Sequence, residues 1–109
     1  SAASDVYKRQ EYLRLQHVGR RRGNGHLVVI CAKSTRANSR IGITASRRVG
    51  NAVTRNRIKR FVREFFRRHQ YDVQPVQDIL VIARPSAATA TYADVRAEIA
   101  RALGIEIGR

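Results

Sequence analysis

Carboxylates are scarce in this sequence: 8 Asp and Glu stand against 22 Lys and Arg in 109 residues. They are scattered, and no two form the close pair that a two-metal nuclease requires. Cysteine is reduced to Cys31, which excludes an internal disulfide and a thiolate metal site. Cys31 lies in an apolar run, so a buried, inert thiol is expected. His17, His26 and His69 fall in unrelated segments, and Ser46 has no evident His partner for nucleophilic work. No catalytic residue and no metal ligand is therefore assigned to the chain. Long apolar runs are missing too. The longest, residues 27–32 and 79–83, are strand-sized, far below the roughly 18 residues needed to cross a bilayer. No membrane association and no signal-peptide pattern is read, so the expected location is the cytoplasm. Methionine is absent even at the start. The chain reads as processed or as a fragment, with residues 1–10 a disordered or non-native segment and residues 11–109 a single RNA-binding domain.

What is present is positive charge. The formal net charge is +14, and self-repulsion of that size opposes compaction. A polyanionic partner is the simplest reason for it. Arg outnumbers Lys by 19 to 3, and the planar Arg fork suits phosphate oxygens and base faces better than an ammonium does. Apolar residues make up 43%, enough for one modest core.

Periodicity sets out the elements. Residues 11–18 read as a short helix closed by Gly19, with Tyr12, Leu15 and Gln16 on one face. Arg20 to Arg22 form a basic turn or short strand, and Gly23-Asn24-Gly25 a loop. Residues 26–33 form a strand rich in β-branched side chains. Residues 40–46 alternate, with Ile41, Ile43 and Ala45 on one face and Arg40, Gly42, Thr44 and Ser46 on the other. This second strand is expected to be the hairpin partner of the first. A long helix follows over residues 51–69, where Ile58, Phe61, Val62 and Phe65 make one apolar stripe. Residues 78–84 are nearly all apolar, as in a central strand. Thr91 with Asp94 resembles a helix start, Tyr92, Val95, Ile99 and Leu103 supply its inner stripe, and Gly104 stops it.

The long helix has a second face. Asn56, Lys59, Arg60, Arg63 and Arg67 stand at i, i+3, i+4, i+7 and i+11, within roughly one third of the circumference. Glu64 is the only carboxylate of that helix, at the edge of this ridge. The ridge is thus expected to lack internal ion pairs and to need an anion. The backbone N–H groups at the helix start, near Gly50 and Asn51, could hold a phosphate beside Arg47 and Arg48.

Residues 46–60, S-R-R-V-G-N-A-V-T-R-N-R-I-K-R, closely resemble the signature of the bacterial ribonuclease P protein subunit. That signature runs Ser, two basic residues, any residue, Gly-Asn-Ala-Val, any residue, Arg-Asn-Arg, Ile or Leu, and two basic residues. The likeness extends to residues 40–43, to residues 78–85 and to Tyr92, and residues 11–21 look like the family's first helix. It implies an α+β fold in the order α-β-β-β-α-β-α, with a mixed sheet of about four strands and an unusual left-handed βαβ crossover. It also implies a subunit that binds a catalytic RNA and assists endonucleolytic removal of the 5′ leader from precursor tRNA. The RNA would do the cutting, with Mg²⁺ held mainly by RNA, none bound by the protein alone, and one protein per RNA. By position, catalytic-RNA binding passes to Arg55, Asn56, Arg57, Lys59, Arg60, Arg63 and Arg67. Leader binding passes to Tyr12, Gln16, Ile30, Ser46, Arg47 and Arg48. Gln16 stands at the family's second aromatic position, so grip there would rest on hydrogen bonding rather than stacking. Ile30 likewise stands where some members carry an aromatic residue. The alternatives are a general RNA-binding or ribosome-associated protein without a processing role, and a protein-only nuclease.

Overall fold

The computed structural model describes residues 9–107. The elements are α1 (Arg9–Val18), β1 (Arg20–Asn24), β2 (Leu27–Lys33), β3 (Arg40–Ala45), α2 (Ala52–His69), β4 (Gln77–Ala83) and α3 (Tyr92–Leu103). Short 3₁₀ turns at Gln70–Asp72 and Pro85–Thr89 flank β4. The order is the expected one. The segment set aside at the start is partly structured, since α1 already begins at Arg9; residues 1–8 lie outside the described residues.

The sheet has four strands in the order β1-β2-β4-β3. β1 pairs with β2 and β2 with β4, both antiparallel, while β3 pairs with β4 in parallel. The expected hairpin between β2 and β3 is therefore not formed, because β4 lies between them. The physical reason is the composition of β4: a nearly all-apolar strand gains most from two strand neighbours and two covered faces. The long α2 connection allows β3 and β4 to run in parallel.

Both faces of the sheet are covered, unequally. On one, Leu27, Val29, Ile41, Ile43, Ile79 and Val81 meet Ile58, Val62, Phe65 and Phe66 of α2 and Val95 and Ile99 of α3. Phe66, which the expected stripe omitted, is fully buried while Phe61 is only partly so. Each fully buried side chain of this size contributes about 1.5–3 kcal/mol. The other face holds a smaller cluster of Leu15 from α1 with Val28, Ile30 and Leu80, flanked by Tyr12, Ala32 and Ile82. α3 starts with a capping box, in which Thr91 accepts from the Asp94 N–H and Asp94 accepts from the Thr91 N–H. It ends at Gly104 in the left-handed conformation, φ 69°. From α3, Glu98 reaches the turn between β1 and β2, where its two oxygens accept the N–H groups of His26 and Leu27 at 3.1 and 3.0 Å.

Candidate nucleic-acid interface

α2 starts where the chain leaves β3 through a tight turn. The Ser46 hydroxyl accepts from the Arg48 N–H at 3.3 Å, and the Ser46 carbonyl from the Val49 N–H at 3.0 Å. Val49 is buried and anchors the turn, leaving Ser46, Arg47 and Arg48 exposed. Gly50 follows with φ 155°, and a Cβ there would lie 3.1 Å from the Thr54 side chain. Asn51 then caps the helix by accepting the Thr54 N–H at 2.9 Å.

Burial of one stripe turns the other face of α2 outward. Asn56, Arg60 and Arg67 are exposed, and Lys59 and Arg63 half-exposed. The Arg60 guanidinium carbon sits 5.9 Å from the centre of the Phe61 ring, which holds part of its stem on the protein. The expectation of a ridge without internal ion pairs fails at its far end. Arg67 and Arg68 both donate to one oxygen of Glu64 at 2.7 Å, one helical turn back. These bonds, that of Arg67 first, hold the Glu64 carboxyl below the ordinary carboxylate range. The cationic stretch before that pairing thus centres on Lys59 and Arg60, with Arg63 half-exposed between them and Arg67. Two further predicted contacts turn inward or backward. Arg57 is half-buried and donates to the Ala88 carbonyl in the turn before α3. Arg55 directs its Nε to the Asn51 carbonyl of its own first turn at 3.4 Å.

On the opposite side of the sheet, α1 is seated by Leu15, which is 1% exposed. Gly19 allows the close turn from α1 into β1, since a Cβ there would come within 2.3 Å of Ile30. That approach buries Ile30 under α1 at 7% exposure. Its assignment as a leader contact is corrected: Ile30 is a packing residue and offers no open face. Tyr12 is half-buried beside the same cluster and hydrogen-bonds Thr44 of β3. Burial raises the Tyr12 phenol above its ordinary pKa and the Thr44 bond partly offsets this. Gln16, one turn further along α1, is exposed. Of the predicted leader contacts on this side, Tyr12 thus stands against Thr44 of β3, and Gln16 is exposed on α1. The exposed Ser46–Arg48 turn joins the end of β3 to the start of the α2 ridge.

Sequence reasoning passed over what ties α1 to the sheet beside Tyr12. Arg40, on the same face of β3 as Thr44, is tied to Asp78 of β4 and to Glu11 of α1. The available signal was the alternation of β3, which put Arg40 and Thr44 together on the outer face. Thr44 itself was also missed as the partner of Tyr12. Among the described residues, no group of three or more His, Cys, Asp or Glu side chains could hold a metal ion, and no helix is long and apolar enough to cross a membrane.

A family model described as Ribonuclease P matches residues 1–105. The ribonuclease P protein component of Syntrophus aciditrophicus is 37% identical over 94 residues, 86% of this chain and 79% of the relative. That of Staphylococcus haemolyticus is 36% identical over 100 residues, 92% of this chain and 87% of the relative. The solved RNase P protein of Staphylococcus aureus superposes with a TM-score of 0.82 at 30% identity, over 95% of this chain and 94% of the other. That of Thermotoga maritima gives 0.81 at 32% identity, over 93% and 96%. The basic α2 surface, the α+β fold and the likeness over nearly the whole length agree: the chain belongs to the ribonuclease P protein family, the RNA-binding subunits of the tRNA 5′-maturation ribonucleoprotein.

Proposed function

We propose that this chain holds the catalytic RNA of ribonuclease P along the α2 ridge and the single-stranded 5′ leader of precursor tRNA in the cleft beside α1. The observation that carries the reading is the placement of the exposed Ser46–Arg48 turn between the two. Lys59, Arg60 and Arg63 neutralise phosphate repulsion within the folded RNA, an electrostatic gain that does not depend on sequence. Tyr12 offers the exposed part of its ring to an unpaired base, a contact worth about 1–3 kcal/mol. Mature tRNA has no leader to place there, so precursor is held more tightly than product. Bond cleavage belongs to the RNA, whose bound Mg²⁺ would polarise the scissile phosphate. No step of the chemistry is assigned to a side chain of this protein. The reading carries a cytoplasmic setting and one protein per catalytic RNA. Family membership disfavours a general RNA-binding or ribosome-associated role.

The test is leader removal assayed with protein alone, with catalytic RNA alone at low Mg²⁺, and with both. Activity recovered only on mixing is expected. Cleavage by the protein alone, or no gain on mixing, overturns the reading.

A further inference from the structure

We propose that the β1 edge carries a second RNA-binding surface, centred on Arg22 and Arg101, which takes the phosphate backbone of an RNA duplex. Arg22 lines three hollows of about 320, 430 and 270 Å³. Arg101 of α3 shares two of them, and Arg20 and Lys33 share the third. Four cations from three elements therefore converge on one side of the molecule.

None of these four forms an ion pair within the described residues. Most of the described carboxylates are committed elsewhere: Glu11 and Asp78 to Arg40, Glu64 to Arg67 and Arg68, and Asp72 to His69, while Glu106, exposed just past α3, forms no ion pair among the described residues. Asp94 serves the cap of α3. Glu98 lines one of the hollows, but both its oxygens are held by the His26 and Leu27 N–H groups. Edge strands often carry charge to discourage pairing with other chains. That accounts for Arg20 and Arg22 on β1. It does not account for Lys33 on β2 or Arg101 on α3.

The surface is separate from the ridge. β1 and β3 are opposite edges of the sheet, three strand spacings or roughly 14 Å apart. The chemistry of the lining selects the ligand. Guanidinium groups and the side chains of Gln74 and Gln77 can bond phosphate oxygens. The linings contain no Tyr or Phe ring to stack an unpaired base. Backbone contacts without base stacking are how duplex RNA is held.

The proposal rests on the chain being an RNA-binding subunit, and its test separates the two. The full chain is compared with an Arg22→Gln/Arg101→Gln variant and a Lys59→Gln/Arg60→Gln ridge variant. Affinity for a short RNA duplex and for the catalytic RNA is measured across a salt series. The β1-edge variant is expected to lower the salt slope by roughly 1.4–1.8, for two lost phosphate contacts. Its thermal midpoint stays unchanged, and its effect adds to that of the ridge variant. Unchanged affinity and slope for both RNAs overturns the proposal, while leader removal by the native pair still stands. Failure of leader removal on mixing defeats the functional reading instead and leaves a lowered duplex slope in support of the β1 edge.

Discussion

Arg40 grips Asp78 with two nitrogens, Nε at 3.1 Å from Oδ1 and Nη2 at 3.3 Å from Oδ2. The two residues are register partners on the parallel strands β3 and β4. The same Nη2 lies 3.0 Å from Oε2 of Glu11 on α1. One guanidinium therefore ties together both strands and the helix that carries Tyr12. Together Asp78 and Glu11 hold Arg40 in its charged form.

Replacing Asp78 with Ala leaves a part-buried Arg40 with Glu11 as its acidic partner among the described residues. Removing one member of a buried pair costs roughly 3–5 kcal/mol. The remaining Glu11 bond puts the expected loss near the lower end, about 3 kcal/mol. Urea unfolding monitored by circular dichroism measures it, and a loss below about 1 kcal/mol would show the pair to be dispensable.

Arg57 and Arg60 lie three apart in one motif yet should respond oppositely. Arg57→Ala removes the bond to the Ala88 carbonyl and lowers stability by about 1.5–3 kcal/mol. It leaves the salt slope of RNA binding nearly unchanged. Arg60→Ala leaves stability within about 0.5 kcal/mol and lowers that slope by roughly 0.7–0.9. Equal slopes in the two variants would return Arg57 to the RNA contact surface.

Tyr12→Ala should weaken binding of precursor tRNA to the holoenzyme about tenfold, within the range for one stacked base. Binding of mature tRNA should not change. Tyr12→Phe keeps the ring and loses only the Thr44 bond, so most of the affinity should return. Equal losses for precursor and mature tRNA would place Tyr12 outside the leader path.

Cys31 is 5% exposed, and burial pushes its thiol up to about 11 from an ordinary 9.0. The folded state thus retains the proton where the unfolded state releases it. By linkage, the stabilisation is complete below pH 9 and is lost as pH rises from 9 towards 11. A thiolate-directed disulfide reagent at pH 8 should react slowly with native protein and rapidly in urea. Fast reaction of the native thiol would contradict this burial.

Local features of this chain were readable from residue order. The spacing of Ile58, Val62 and Phe65 announced α2 and, by exclusion, its cationic face. Thr91, Asp94 and Gly104 marked the ends of α3, because caps act over three or four residues. What escaped depends on distant partners. Nothing near Arg57 points to Ala88, 31 residues on. The burial of Ile30 follows from how closely Gly19 lets α1 approach. The place of β4 required knowing which strand would take two neighbours, which alternation within β2 and β3 does not encode. Arg67 differs in that its partner is local: Glu64 pairs at i+3 and i+4 at once, so a single carboxylate ties down two neighbouring cations.

The central position of β4 orders events during synthesis. β2 and β3 share no hydrogen bonds and meet only through a strand that begins at residue 77. Until that strand emerges from the ribosome, the main sheet cannot close and the apolar stripe of α2 lacks its β4 contacts. The RNA-binding helix is therefore made well before it has a complete seat. Productive assembly waits for non-local pairing, the slow class of folding step, and a nascent chain cut short before β4 would expose a basic amphipathic helix without a finished scaffold beneath it.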